Sequence, residues 1–128
     1  NASRSASRRS RCPLQAVHGD AHLGNVIATA RGPLWNDWED TFRGPVVWDL
    51  GCLHASARVF GGDQGAVAAA QRGYGAAPEP GLLDLLVEAR AFQGTVWTVV
   101  ISGSRPDGRE RIADRLEWLR RRERRTSA

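Results

Sequence analysis

The stretch His18-Gly19-Asp20-Ala21-His22-Leu23-Gly24-Asn25 leads, after ten residues, to Asn36-Asp37-Trp38-Glu39-Asp40, and then to Gly44-Pro45-Val46-Val47-Trp48-Asp49-Leu50. Around these polar clusters the chain is divided into short apolar runs. Residues 14–17 form one run and end at the polar His18-Gly19-Asp20. Residues 25–29 form a second, rich in β-branched side chains, and 34–38 a third. Ala30-Arg31-Gly32-Pro33 between them carries turn chemistry, so 25–38 predicts a β-hairpin. Arg43-Gly44-Pro45 reads as a further break in the chain. Beyond Val46 the period changes. Leu50, Leu53, Ala57 and Phe60 share one helical face. Gly61-Gly62 stops that helix, and Asp63 is placed to cap a second, ending near Arg72. Residues 73–81 are a Gly/Pro/Ala loop. A long apolar helix is expected over 82–101. Asp107-Gly108-Arg109-Glu110 has the spacing of a capping box for a last helix striped with Ile112, Leu116 and Leu119. The expected class is α+β: a loop and hairpin on a mainly helical body of three or four helices.

The chain has 128 residues, 41% hydrophobic and 25% charged, which suits one domain with a real core. No apolar run approaches the roughly 18 residues of a membrane span. Residues 1–12 contain no apolar run of the kind a signal peptide needs, and they read as a disordered Arg/Ser-rich segment. Residues 126–128 read as a tail. Two cysteines, Cys12 and Cys52, are too few for a disulfide framework and read as free thiols, with a cytoplasmic location as the expectation. All 18 basic residues are arginine; lysine and methionine are absent. The net charge of +4 is uneven. Residues 1–12 hold four Arg and no acid, 13–102 five Arg against nine acids, and 103–128 nine Arg against five acids. The basic ends flank an acidic middle, so the charge is not a nucleic-acid footprint of the whole chain. The run Arg120-Arg121-Arg122-Glu123-Arg124-Arg125 reads as a solvated helix end, where cations complement the dipole.

The polar clusters suit phosphoryl transfer. That reaction needs a carboxylate to orient the attacking hydroxyl, and oxygen ligands for Mg²⁺. Kinase-type catalytic loops supply them as an Asp and an Asn five positions later. Asp20 and Asn25 have this spacing. A second metal-binding Asp belongs beyond a short hairpin, where Asp37 falls, and a tight hairpin brings Asn25 and Asp37 together.

At these residues the chain resembles the aminoglycoside phosphotransferase family, which has a protein-kinase-like fold. The family motif H-G-D-x-x-x-x-N is met by His18 to Asn25. I-D-[WF]-E is met by Asn36-Asp37-Trp38-Glu39, with Asn36 in an aliphatic position. G-P-x-x-W-D-L is met by Gly44 to Leu50. The resemblance implies the C-terminal catalytic lobe of such an enzyme over 13–125. Asp20 is then the catalytic base, Asn25 and Asp37 bind Mg²⁺ and through it ATP, and His18 and Asp49 support the loop. Glu39 and Asp40 would face a cationic substrate. The implied reaction is transfer of phosphate from ATP to a hydroxyl of a small molecule, an aminoglycoside or amino alcohol. The family's N-terminal lobe carries a nucleotide-covering loop and a lysine. Neither is found here, so a partial lobe is expected, with the missing N-terminal lobe as its partner and no activity in isolation. No nucleic-acid or membrane partner is expected.

Other readings of the same residues stay open. His18, Asp20 and His22 alternate and could ligate Zn²⁺ from one face of a strand. Asp49 could simply cap the following helix. Glu39 and Asp40 could be solvated surface, and His54 structural. The five tryptophans are expected in the core. The competing function is a non-catalytic remnant or binding module with basic ends.

Overall fold

The computed structural model describes residues 13–75 and 78–126. Four strands come first: β1 (Leu14–Val17), β2 (Val26–Thr29), β3 (Gly32–Trp35) and β4 (Phe42–Pro45). Four helices follow: α1 (Trp48–Arg58), α2 (Gln64–Tyr74), α3 (Pro80–Ser102) and α4 (Pro106–Thr126). The described residues are therefore α+β, with two small antiparallel sheets beside a helical body. The expectations for residues 1–12, Cys12 included, lie outside the described residues.

The predicted hairpin is the β2–β3 pair, in register Val26↔Trp35 to Thr29↔Gly32. Thr29 holds the turn by donating its hydroxyl to the Gly32 carbonyl at 2.7 Å. The expected break at Arg43-Gly44-Pro45 is instead strand β4, antiparallel to β1 from Leu14↔Pro45 to Val17↔Phe42. Proline is tolerated there because it stands at the end of a two-stranded ladder, where its missing N–H interrupts nothing. The next amide, of Val46, continues the ladder to the Pro13 carbonyl at 3.1 Å.

The helical body follows the sequence pattern more closely. Leu50, Ala55, Leu83 and Val87 form a buried cluster between α1 and α3, with Val59, Phe60 and Trp118 against it. Asp63 caps α2 by accepting from the Ala66 amide at 3.0 Å. Glu79 caps α3 through the amides of Gly81 and Leu82. The capping box at Asp107 does not form. Pro106 begins the helix, where its missing donor costs nothing, and Asp107 in the first turn pairs with Arg111 at 2.9 Å. The arginine-rich end of α4 is only partly solvated. Arg122 turns to α3 and pairs with Asp84 at 3.1 Å and Glu88 at 2.8 Å. Hydrogen bonding to Arg122 holds the Asp84 carboxyl below the usual carboxylate range.

One face lacks a cover among the described residues. On the C-terminal half of α3, Phe92, Val96, Trp97, Val99, Val100 and Ile101 are all exposed, Val100 by 71%. Apolar patches larger than a few hundred Å² mark association or aggregation sites. The purified chain should therefore bind a hydrophobic dye or self-associate in light scattering. A dye-negative monomer with a sharp melt would show that this face is harmless in water. No helix among the described residues is long and apolar enough to cross a membrane.

Candidate active site

The loop between β1 and β2 is held from beneath by α1. The Asp49 carboxylate accepts from the His18 amide at 2.8 Å and the Gly19 amide at 3.0 Å. Helix α1 begins after Val47 with no side-chain cap, so Asp49 spends its oxygens on the loop and not on its own helix. The Trp48 indole N–H donates to the Gly19 carbonyl at 2.8 Å, and the Cys52 thiol approaches the same oxygen at 3.4 Å. Burial pushes that thiol's pKa up to about 12, so it stays protonated and inert at neutral pH.

His18 is buried with both ring nitrogens engaged. Nδ1 accepts from the Asp20 amide at 3.3 Å, which makes Nε2 the donor to the Asn36 carbonyl at 2.8 Å. The imidazole thus ties the loop to the strand-β3 side of the hairpin. It contacts the rings of both Trp35 and Trp38, at 5.2 and 4.7 Å between ring centres. With both nitrogens used, His18 has no lone pair for zinc. Among the described residues no cluster of three or more His, Cys, Asp or Glu is placed to hold a metal ion.

Two glycines explain the tight path. Gly19 has φ 89°, and a Cβ there would stand 2.0 Å from the Asp40 carbonyl oxygen. Gly24 has no unusual φ. It is small because a Cβ would meet the His22 imidazole at 2.8 Å.

Asn25 is buried and donates its amide to the Asp20 carbonyl at 3.0 Å, closing the loop on itself. This fixes Nδ2 as the donor and leaves Oδ1 as an acceptor. The Asn36 amide donates to the Asn25 carbonyl at 2.8 Å, so the hairpin brings the neighbour of Asp37 against Asn25 although the two are far apart in sequence. Asp37 is exposed, with φ 64°, a left-handed conformation that Asp tolerates better than most side chains. Its carboxylate has no protein partner among the described residues. One amide oxygen and one free carboxylate are hard oxygen donors of the kind Mg²⁺ takes, so the donor set fits that ion.

Asp20, Asp37, Glu39 and Asp40 line one cleft of about 590 Å³. Its opposite wall comes from α3 and includes Phe92, Val96 and Trp97. The Asp20 side chain is 22% exposed, and one of its oxygens is paired with the Arg90 guanidinium. The other lies 3.7 Å from His22 Nε2. Asp20 therefore offers a carboxylate oxygen that a bound hydroxyl can reach. Arg90 was not anticipated from sequence. Its signal is that it is the only basic residue in the otherwise apolar and acidic helix α3.

The tryptophans divide. Trp118 packs on the core and Trp48 on the loop, but Trp35, Trp38 and Trp97 are 44%, 55% and 64% exposed. The expectation of five core tryptophans fails because two of these cover His18 from the hairpin and the third faces the cleft. His54 is structural, joining α1 to α2 through Gln71 at 3.0 Å.

The model of the phosphotransferase enzyme family matches residues 2–86. No curated protein and no solved structure matches the chain. The matched segment runs from before β1 into the first turns of α3. It contains the Asp20 loop, the hairpin with Asp37 and the Asp49 support, and stops short of Arg90. Since this is well over half of the chain, the protein belongs to the phosphotransferase enzyme family.

Proposed function

We propose that this chain is the catalytic lobe of an enzyme that transfers the γ-phosphate of ATP to a hydroxyl of a small, amine-bearing molecule, an aminoglycoside or amino alcohol. The observation that carries the reading is that Asp20 and Asp37 line one cleft, with Asn25 hydrogen-bonded to the Asp20 carbonyl. In this reading Asp20 orients the acceptor hydroxyl and takes its proton as the oxygen attacks phosphorus. Arg90 holds the second carboxylate oxygen and so fixes which one faces the acceptor. His18 and Asp49 prevent the loop from drifting, which matters because positioning supplies most of the catalysis in phosphoryl transfer. Asn25 and Asp37 would hold Mg²⁺, which when bound offsets phosphate charge. Glu39 and Asp40 give the cleft a negative wall, and Trp97 and Phe92 an aromatic one, a combination that suits an alkylammonium group.

The chain has no lysine to pair with the nucleotide phosphates. Purified residues 1–128 should therefore show no ATP-dependent phosphorylation of aminoglycosides or amino alcohols. The same segment, extended by in-frame upstream sequence that brings a glycine-rich loop and a lysine, should gain transfer that depends on Asp20. Turnover by the 128 residues alone, abolished in Asp20→Ala, would refute the need for a second lobe. Absence of transfer in the extended protein would refute the enzyme and favour a non-catalytic remnant.

A further inference from the structure

Beside the acidic cleft lies a second hollow of about 390 Å³. It shares Arg90, Gly94 and Trp97 with the acidic cleft, so the two are continuous along α3. Its ionisable lining is His22, Arg90, Arg115 and Asp63. Asp63 caps α2 through Oδ1, and Arg90 and His22 both face the Asp20 carboxylate, which leaves Arg115 as the cation of this hollow that has no carboxylate beside it among the described residues. Arg115 is the unusual member. It is partly buried, yet among the described residues no carboxylate pairs with it. One terminal nitrogen donates to the Gly94 carbonyl at 3.0 Å and to the Thr98 hydroxyl, and the guanidinium lies 4.5 Å from the Phe60 ring centre. Its Nε and second terminal nitrogen have no protein acceptor among the described residues. Burial, and the nearby charges of Arg111 and Arg90, make it harder to keep this guanidinium protonated. A cation drawn partly out of water normally has a counter-ion beside it. Among the described residues Arg115 has none.

We infer that Arg115, in the hollow it lines, binds an anionic group of the acceptor, so that the preferred acceptor is a zwitterion. Its amine lies toward Asp37, Glu39 and Asp40, its carboxylate or phosphate toward Arg115, and its hydroxyl between them at Asp20. The inference deepens the phosphotransferase reading and rests on it. It rests also on geometry outside the residues that the family model matches, since Arg90 and Arg115 both follow residue 86. The arrangement explains why a single cleft is acidic at one end and has Arg115 at the other. An amine alone would satisfy only the first end. Arginine is the residue suited to the second, because its planar fork meets a carboxylate or phosphate with two parallel hydrogen bonds.

The test is a binding titration on the unaltered 128-residue chain without nucleotide, followed by the indole N–H resonances in NMR. Three probes differ by one charged group each: γ-amino-β-hydroxybutyrate, isopropanolamine, which lacks the carboxylate, and β-hydroxybutyrate, which lacks the amine. The zwitterion should bind about tenfold or more tightly than either, the gain expected from one charge-assisted hydrogen-bonded pair. Arg115→Gln should collapse the preference for the zwitterion over isopropanolamine toward unity. Equal affinity for those two probes in the unaltered chain overturns the inference, and so does a preference that survives in a folded Arg115→Gln. Because the probe comparison needs no variant, it decides even where Arg115→Gln fails to fold. Because no phosphate is transferred, failure here leaves the phosphotransferase reading intact, and failure of transfer leaves this binding result intact.

Discussion

Gly19→Ala should cost about 2–5 kcal/mol of folding stability, the sum of a strained backbone and an overpacked contact. The two contributions can be separated. At Gly19 the left-handed φ of 89° coincides with a carbonyl oxygen, that of Asp40, 2.0 Å from where Cβ would stand. At Gly61 φ is 78°, but nothing lies within 4 Å of a Cβ. Gly61→Ala should thus pay only the left-handed penalty, about 1–2 kcal/mol. Urea midpoints for the two variants measure the difference. If they are equal, the Asp40 carbonyl moves aside freely, and the loop is softer than its hydrogen bonds imply. The Gly19 variant should also disturb the acidic wall, because Asp40 and its neighbours Glu39 and Asp37 would be pushed outward together.

The other large effect concerns the two carboxylates, measured in a form of the enzyme that turns over. Asp20→Asn keeps the shape of the side chain and removes its capacity to take a proton. Loss of a general base typically lowers the rate by about 10²–10⁴-fold, while affinity for Mg·ATP should change little. Asp37→Ala removes charge from the place where the cation would sit, so Mg·ATP affinity should fall along with the rate. Paired nucleotide titrations and kcat values check the division. Loss of nucleotide binding in Asp20→Asn, with Asp37→Ala unaffected, would reverse the roles. If neither substitution matters, the phosphotransferase chemistry is wrong. The Asn variant also leaves Arg90 facing a neutral amide, so Asp20→Asn with Arg90→Met tests whether part of the loss arises from that orphaned cation.

What the sequence made legible followed from local rules. The hairpin was announced by β-branched runs around a Gly-Pro turn, and α1, α2 and α3 by their periodicity and stop signals. Strand β4 was hidden because Arg43-Gly44-Pro45 has turn composition, and its pairing with β1 is a long-range fact that no local window contains. The false capping box at Asp107 arose in the opposite way: a correct local spacing was overruled by Pro106, which starts the helix two positions before that box would. In the site, the spacing of Asp20 and Asn25 and the position of Asp37 could be read, because loop and hairpin are contiguous. Arg90 could not, since it reaches Asp20 from a helix 70 positions away. The exposed Trp35 and Trp38 were misread for a related reason. Composition places tryptophan inside, but here a buried histidine needed covering in a region too thin to enclose the covering rings.

The pairing of β1 with β4 has a kinetic meaning. Everything acidic in the cleft, from Asp20 to Asp40, lies on a length of chain whose two ends are hydrogen-bonded to each other. Such a closed segment can open as a cooperative unit while the helices stay folded, as partial unfolding in other proteins does. The bonds from Asp49, Trp48 and Cys52, the edge-on contact of Phe42 with Trp48 and the Arg90 ion pair fasten it to the helical body. Hydrogen exchange would then sort the amides into two populations, with those of β1, β4 and the enclosed hairpin sharing one opening free energy below that of α1 and α3. The chemistry would be lost by detachment of a module, well before the protein unfolds.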